Sequence, residues 1–260
     1  MIVILVPVLD RPKNAARLVK SIRAVSVTSP RIMFLCSLND LAEQAACRAT
    51  GEETVVVPWD PISGDWAAKL EWGRRLTAEP FMLLGADDLH FHPGWDVNAL
   101  RVFEQMPHVG VVGTQDKGNP LVMRGQHSTH PIVRRAYVDQ WGTIDDAALM
   151  LHDGYDHQYA DNELCETAMA RGAWHFSHDV VVEHLHPAWS KAQHDTTYDR
   201  AYRWAVRDHK HFHQRRFMWR PRGGRRVLLH PQRERSGTGS DGSVAPSARY
   251  SQIAHRRVQP

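Results

Sequence analysis

Two adjacent carboxylates, Asp87 and Asp88, follow a short apolar run, Phe81-Met82-Leu83-Leu84, that stops at Gly85-Ala86. Like charges this close repel unless a donor or a cation relieves them, and their hard oxygens suit a divalent metal ion. The plainer reading is that one of them caps the following turn. Residues of the same chemistry recur along the chain: Asp10-Arg11, Asn39-Asp40, Asp161-Asn162-Glu163 and Glu183-His184-Leu185-His186. Each has its own plain alternative. Asp10, Asp40 and Asp161 all stand where they could cap a following helix. His184 and His186 alternate across a strand end, so at most one of them faces a metal held by Asp88.

The elements that must position these groups can be read from apolar patterning. Ile2–Val6 is a continuous apolar run rich in β-branched residues and reads as a strand buried on both faces. Arg31–Leu38, Thr54–Val57, Phe81–Leu84 and Val109–Gly113 read as further strands. Helical stretches lie between them, with Asp65 placed to cap the helix Asp65–Leu76. Strand–helix alternation at this spacing predicts an α/β fold with a mainly parallel sheet flanked by helices. In such a sheet, ligands bind beyond the C-terminal ends of the strands, where Asp10, Asp40 and Asp87-Asp88 all fall. Further on, Asp161–Arg171 reads as a helix, Ala173–Phe176 and Val180–His184 as two strands, and Thr196–Phe212 as one helix. Asp116–Ser128 reads as irregular, and Ile144–Tyr159 has no clear assignment. Trp66, Trp72 and Trp95 read as core or as walls of a sugar pocket, and Trp141 and Trp189 as faces on which an acceptor could stack.

Composition narrows the function classes. With 260 residues, 42% hydrophobic and 23% charged, the chain can bury a substantial core. No G-x-G-x-x-G follows the first strand, so a dinucleotide site there is disfavoured, and neither a P-loop nor a G-x-S-x-G elbow is present. The apolar start, Met1–Val6, is too short to span a membrane and lacks the features of a signal peptide. Cys36, Cys47 and Cys165 lack metal-site spacing and read as reduced core thiols of a cytoplasmic protein. The net charge of +3 is uneven: from Arg215 to the end there are 11 Arg against Glu234 and Asp241, or +9, which leaves −6 for the remainder. Residues 1–215 read as one domain, with halves 1–113 and 114–215 continuous with each other. Residues 216–260 read as a basic, Gly/Ser/Arg-rich tail without a core.

Taken in order, Val6–Pro12, Ser37–Asp40, Gly85–Asp88, Ala160–Leu164 and Val182–Pro187 resemble the inverting GT-A glycosyltransferases of the family 2-like group, over about Met1–Trp189. The resemblance implies a nucleotide-diphosphate-sugar-binding fold and a role for each position. Pro7, Leu9, Asp10 and Arg11 line the nucleotide pocket, and Asp40 contacts base or ribose. Asp87-Asp88 matches the D-x-D motif, with Asp88 on the metal and Asp87 toward ribose or sugar. His184, or else His186, completes the metal site. Asp161 matches the catalytic acid of E-D-x-[DE]. Two positions depart from the pattern. Ala86 replaces the first Asp of D-x-D, which leaves any metal to Asp88 and a late histidine. Ala160 precedes Asp161, which leaves Asp161 and Glu163 both open as the base.

The chemistry follows. A Mn²⁺ or Mg²⁺ ion would neutralise charge on the departing diphosphate, and a carboxylate with an imidazole suits Mn²⁺ better. Inverting transfer needs a base to take the acceptor proton, and Asp161 is the candidate. Lys69, on the helix before the Phe81–Leu84 strand, is the candidate contact to phosphate or sugar. A UDP- or GDP-sugar is the expected donor. The acceptor is expected to be a glycan or a modified phage-type DNA, the basic tail supplying phosphate contacts. Two other functions fit the same residues: a nucleotidyltransferase, which would release pyrophosphate, and a non-catalytic nucleotide-sugar or nucleic-acid-binding module.

Overall fold

The computed structural model describes residues 1–61 and 65–220. Residues 62–64 and the basic tail beyond residue 220 lie outside the described residues.

The N-terminal half alternates strands and helices as its patterning predicts: β1 (Ile2–Pro7), α1 (Asn14–Val25), β2 (Arg31–Cys36), α2 (Leu41–Ala49), β3 (Glu53–Val56), α3 (Trp66–Arg75) and β4 (Phe81–Leu84). These strands pair in parallel, in the order β3-β2-β1-β4. All six residues of β1 are buried, because helices cover both faces of the sheet. Alternate residues go to opposite cores. Ile2, Ile4 and Val6 join Leu18 and Ile22 of α1 on one face, while Val3 and Leu5 join Leu70 of α3 on the other. Gly85 ends β4 against β1, its N–H donating to the Leu5 carbonyl at 2.8 Å. A Cβ there would lie 2.6 Å from that oxygen, so the close approach needs glycine.

The second half departs from the sequence reading. It contains β5 (Leu89–Phe91), α4 (Trp95–Gln105), β6 (Val111–Gln115), α5 (Pro120–Met123), β7 (Ile132–Arg134), α6 (Arg135–Trp141), α7 (Ala160–Ala170), β8 (Trp174–His184), α8 (Thr196–Tyr202) and α9 (Ala205–Arg215). The sheet has eight strands in the order β3-β2-β1-β4-β7-β6-β8-β5, and it is mixed. Here β7 runs antiparallel to both β4 and β6, and β5 antiparallel to β8. The two strands read at Ala173–Phe176 and Val180–His184 are one strand, β8, whose irregular register on β6 carries it past the polar residues between them. The single helix read at Thr196–Phe212 is two, α8 and α9. Short β5 and α5 had too few apolar residues to register as elements, and residues 142–159 form no regular element apart from turns. No helix among the described residues is long and apolar enough to cross a membrane.

Candidate active site

The turn after β4 places Asp87 and Asp88 at the C-terminal end of the parallel half-sheet, each only 5% exposed. Sheet register brings a histidine to them. Leu89 pairs with His184 across β5 and β8, and the N–H of Leu185 donates to the Asp88 carbonyl at 2.8 Å. As a result His184 Nε2 stands 3.3 Å from Asp88 Oδ1. That oxygen is buried and accepts no hydrogen bond.

The remaining carboxylate oxygens are held from the N-terminal end of the chain. Arg11 Nη1 lies 3.3 Å from Asp87 Oδ1 and 3.2 Å from Asp88 Oδ2. Asn14 donates to Asp87 Oδ2 at 3.0 Å, and the Tyr198 hydroxyl donates to Asp88 Oδ2 at 2.7 Å. The other edge of Arg11 grips Asp195 with two bonds of 2.9 Å, and its guanidinium lies 4.0 Å from the centre of the Tyr198 ring. Helix α8, which Asp195 caps, is thereby drawn over the aspartates.

Burial opposes charge throughout this cluster, and its partners divide the outcome. Burial and the neighbouring Asp88 push Asp87 above the usual carboxylate range. Burial acts on Asp88 in the same direction, but His184, Arg11 and Tyr198 outweigh it and hold Asp88 well below that range. Burial lowers His184, and Asp88 overcomes this and raises it.

Arg11, Asp87, Asp88, His184 and Tyr198 line a cavity of about 440 Å³. Of the other residues singled out in the sequence, Pro7, Leu9, Lys69, His186 and Asp161 from α7 also line it. The lining includes a pair absent from the sequence reading. His127 Nε2 lies 3.1 Å from Asp161 Oδ2. Burial lowers His127, but Asp161 more than compensates and pushes it up to about 10, while His127 in turn holds Asp161 below its ordinary range against burial. His130 also lines the cavity, its ring centre 4.8 Å from that of His184, and its Nδ1 donates to the Leu84 carbonyl at 2.8 Å. Burial, reinforced by His184, lowers it to about 3, so it is neutral. No sequence spacing singles out His127 or His130, since both sit in a loop. Asp195, placed just before Thr196-Thr197, was legible only as a helix cap.

Several expected site residues do other work. Glu163 does not line the cavity. Arg215 binds both of its oxygens at 2.7 Å and Tyr155 donates to it at 2.7 Å, so it is a structural counter-ion and no base candidate. Asp40 caps α2, accepting from the Glu43 N–H at 3.1 Å, and also accepts from the Asp10 N–H at 2.8 Å. Asp10 takes a left-handed backbone (φ 55) and pairs with Arg200 at 2.9 Å, leaving α1 without a side-chain cap. Neither acid lines the cavity. Lys69 lines it but is 1% exposed, and its ammonium is occupied by Val8 O and Ser37 Oγ at 2.8 Å and by Asp65 at 3.3 Å, which leaves no donor for a phosphate. Asp65 begins α3 without a side-chain cap bond. His186 Nδ1 accepts from the Ala188 N–H at 3.1 Å, and the ring packs against Tyr198, so of the two histidines His184 is the one turned to Asp88. Trp66 and Trp189 line the cavity, Trp95 is core, Trp72 packs on Trp59, and Trp141 lies under Arg171.

The donor set fits a divalent ion in one respect. An unbonded carboxylate oxygen faces an imidazole nitrogen in a buried pocket. No group of three or more His, Cys, Asp or Glu among the described residues forms a complete cage, so this chain would supply two ligands and a bound diphosphate or water the rest.

No family model and no curated protein matches the chain. Solved structures do. The mannosyltransferase from Pyrobaculum calidifontis, in complex with GDP-Man and Mn²⁺, matches with a TM-score of 0.56 at 16% identity, over 84% of this chain and 69% of that one. The glucosyl-3-phosphoglycerate synthase from Mycobacterium tuberculosis, in complex with Mn²⁺, UDP-glucose and phosphoglyceric acid, matches with a TM-score of 0.54 at 13% identity, over 76% and 74%. At such identities the shared property is the fold, which is that of the GT-A glycosyltransferases.

Proposed function

We propose that the protein is a glycosyltransferase that moves a sugar from a UDP- or GDP-sugar to an acceptor hydroxyl with inversion. One observation carries this reading: the Asp88–His184 pair and Asp161 line the same cavity. A leaving diphosphate belongs at the first and a proton acceptor at the second. The fold it shares with two nucleotide-sugar enzymes supports the donor class.

Asp88 Oδ1 and His184 Nε2 would hold Mn²⁺ or Mg²⁺, and the bound ion would offset the charge growing on the leaving diphosphate. Pro7, Val8 and Leu9 flank the nucleotide, while Arg11 fixes the aspartates. Asp161 takes the acceptor proton. Tyr159, Trp189 and Tyr202 offer faces on which a sugar or a base can stack. The acceptor is a glycan or a modified DNA, with the Arg-rich tail supplying phosphate contacts to the latter.

The test is a panel of UDP- and GDP-sugars with Mn²⁺ or Mg²⁺, read as nucleoside diphosphate released. The reading predicts release that collapses in Asp88→Asn. Pyrophosphate release would identify a nucleotidyltransferase, and tight binding without turnover a binding module. NMR of the product's anomeric configuration tests inversion.

A further inference from the structure

The His127–Asp161 ion pair bears directly on the base. Asp161 lies in the first turn of α7, where the helix terminus and the Asn162 N–H favour a carboxylate. Burial nevertheless presses it toward the neutral acid, and a neutral acid cannot take a proton. His127 is the cation that opposes this, at 3.1 Å from Oδ2. We propose that His127 is a positioning residue that keeps Asp161 ionised and directs its other oxygen, Oδ1, at the acceptor hydroxyl. The proposal rests on Asp161 being the base.

The loop that carries His127 is tied down just beyond it. Ser128 Oγ accepts from the Thr114 N–H at 2.9 Å, and Thr114 Oγ1 donates to the His130 carbonyl at 3.0 Å. The thiol of Cys165, one helical turn beyond Asp161, donates to the Ser128 carbonyl at 3.4 Å. The segment just after His127 is therefore anchored to β6 and to α7, the helix that carries Asp161. Cys165 of α7 faces His127. Neutral His130, His157 and Tyr159 of the segment leading into α7, and His184 of β8 face Asp161.

In the transfer step the acceptor oxygen forms a bond to the anomeric carbon. The bond from that carbon to the diphosphate oxygen breaks, its electron pair leaving with the diphosphate. The hydroxyl proton passes to Asp161 Oδ1, and His127 keeps its own proton on Nε2, hydrogen-bonded to Oδ2.

The test uses the full chain with UDP-glucose or GDP-mannose and Mn²⁺. Donor hydrolysis, with water standing in for the acceptor, is followed across pH in the wild type, Asp161→Asn, His127→Gln and His127→Leu. Imidazole titration by NMR accompanies it in the absence of donor. The expected result is an Asp161→Asn variant inactive at all pH. Both His127 variants should have an acidic limb moved up by about one unit or more, the effect of removing an opposite charge, with activity recovering at alkaline pH. The His127 imidazole should titrate near pH 10 in the wild type and well below that in Asp161→Asn. A wild-type His127 that titrates near its ordinary value overturns the proposal, as does a uniform loss at all pH in the folded His127→Gln protein. An active Asp161→Asn would instead overturn Asp161 as base, and the proposal with it.

Discussion

Asp88 Oδ1 and His184 Nε2 stand 3.3 Å apart, and that oxygen is the one in the Asp87–Asp88 pair without a hydrogen bond. A buried carboxylate oxygen whose neighbour is an imidazole, with no aligned hydrogen bond, is a donor pair that a divalent cation can take up. Asp88→Asn and His184→Ala should each abolish the rise in Tm that Mn²⁺ produces in the wild type. A ligand at 100 times its Kd stabilises by about 2.7 kcal/mol, which thermal melts resolve easily. An undiminished Mn²⁺ shift in both variants would move the metal elsewhere.

Arg11 is 7% exposed and joins Asp87, Asp88 and Asp195 under the Tyr198 ring. Arg11→Met would leave three carboxylates without their shared partner. Breaking a buried ion pair from one side costs about 3–5 kcal/mol, and urea unfolding should show a loss of that size. Arg11→Lys keeps the charge but not the two-pronged grip on Asp195, so it should recover only part of the stability.

Glu163→Gln discriminates structure from chemistry. Arg215 and Tyr155 hold this carboxylate away from the cavity. The variant should lower the urea midpoint, because Arg215 loses a buried counter-ion. Its pH–rate profile, measured on folded protein, should keep the wild-type shape. A selective loss of the limb that reports the base would return Glu163 to the chemistry.

The His127–Asp161 pair also makes folding depend on pH. His127 is raised in the folded state from an ordinary value of 6.5 to about 10. Its contribution is therefore fully present below about pH 6.5 and is lost as pH rises toward 10. Asp161 is lowered, so its contribution is present above the ordinary carboxylate range and is lost as pH falls below it. Urea midpoints should decline between pH 7 and pH 10 in the wild type, and His127→Gln should flatten that decline. An equal slope in both proteins would show that the pair is not ionised.

The parallel half of the fold was legible because its signals are local. A continuous apolar run such as Ile2–Val6, broken by Pro7 and followed by an amphipathic helix, specifies a buried strand and its crossover whatever the rest of the chain does. The acids that close those runs, Asp40 and Asp87-Asp88, therefore fall at one edge of the sheet. The family resemblance pointed to His184 or His186 and to Asp161 or Glu163 without choosing within either pair. Partnership was not local. Only the assembled sheet shows that β8 is one strand whose register sets His184 beside Asp88, that Arg11 reaches Asp195 across 184 residues, and that His127 meets Asp161 across 34. The same long-range contacts decide which acids serve the cavity. Asp40 is taken by a helix end and Glu163 by Arg215, whereas Asp88 keeps one oxygen unbonded. A carboxylate in a sequence carries only its charge. Burial and the donors that reach it determine whether it caps a helix, neutralises an arginine or remains available for chemistry, and both are properties of the folded chain.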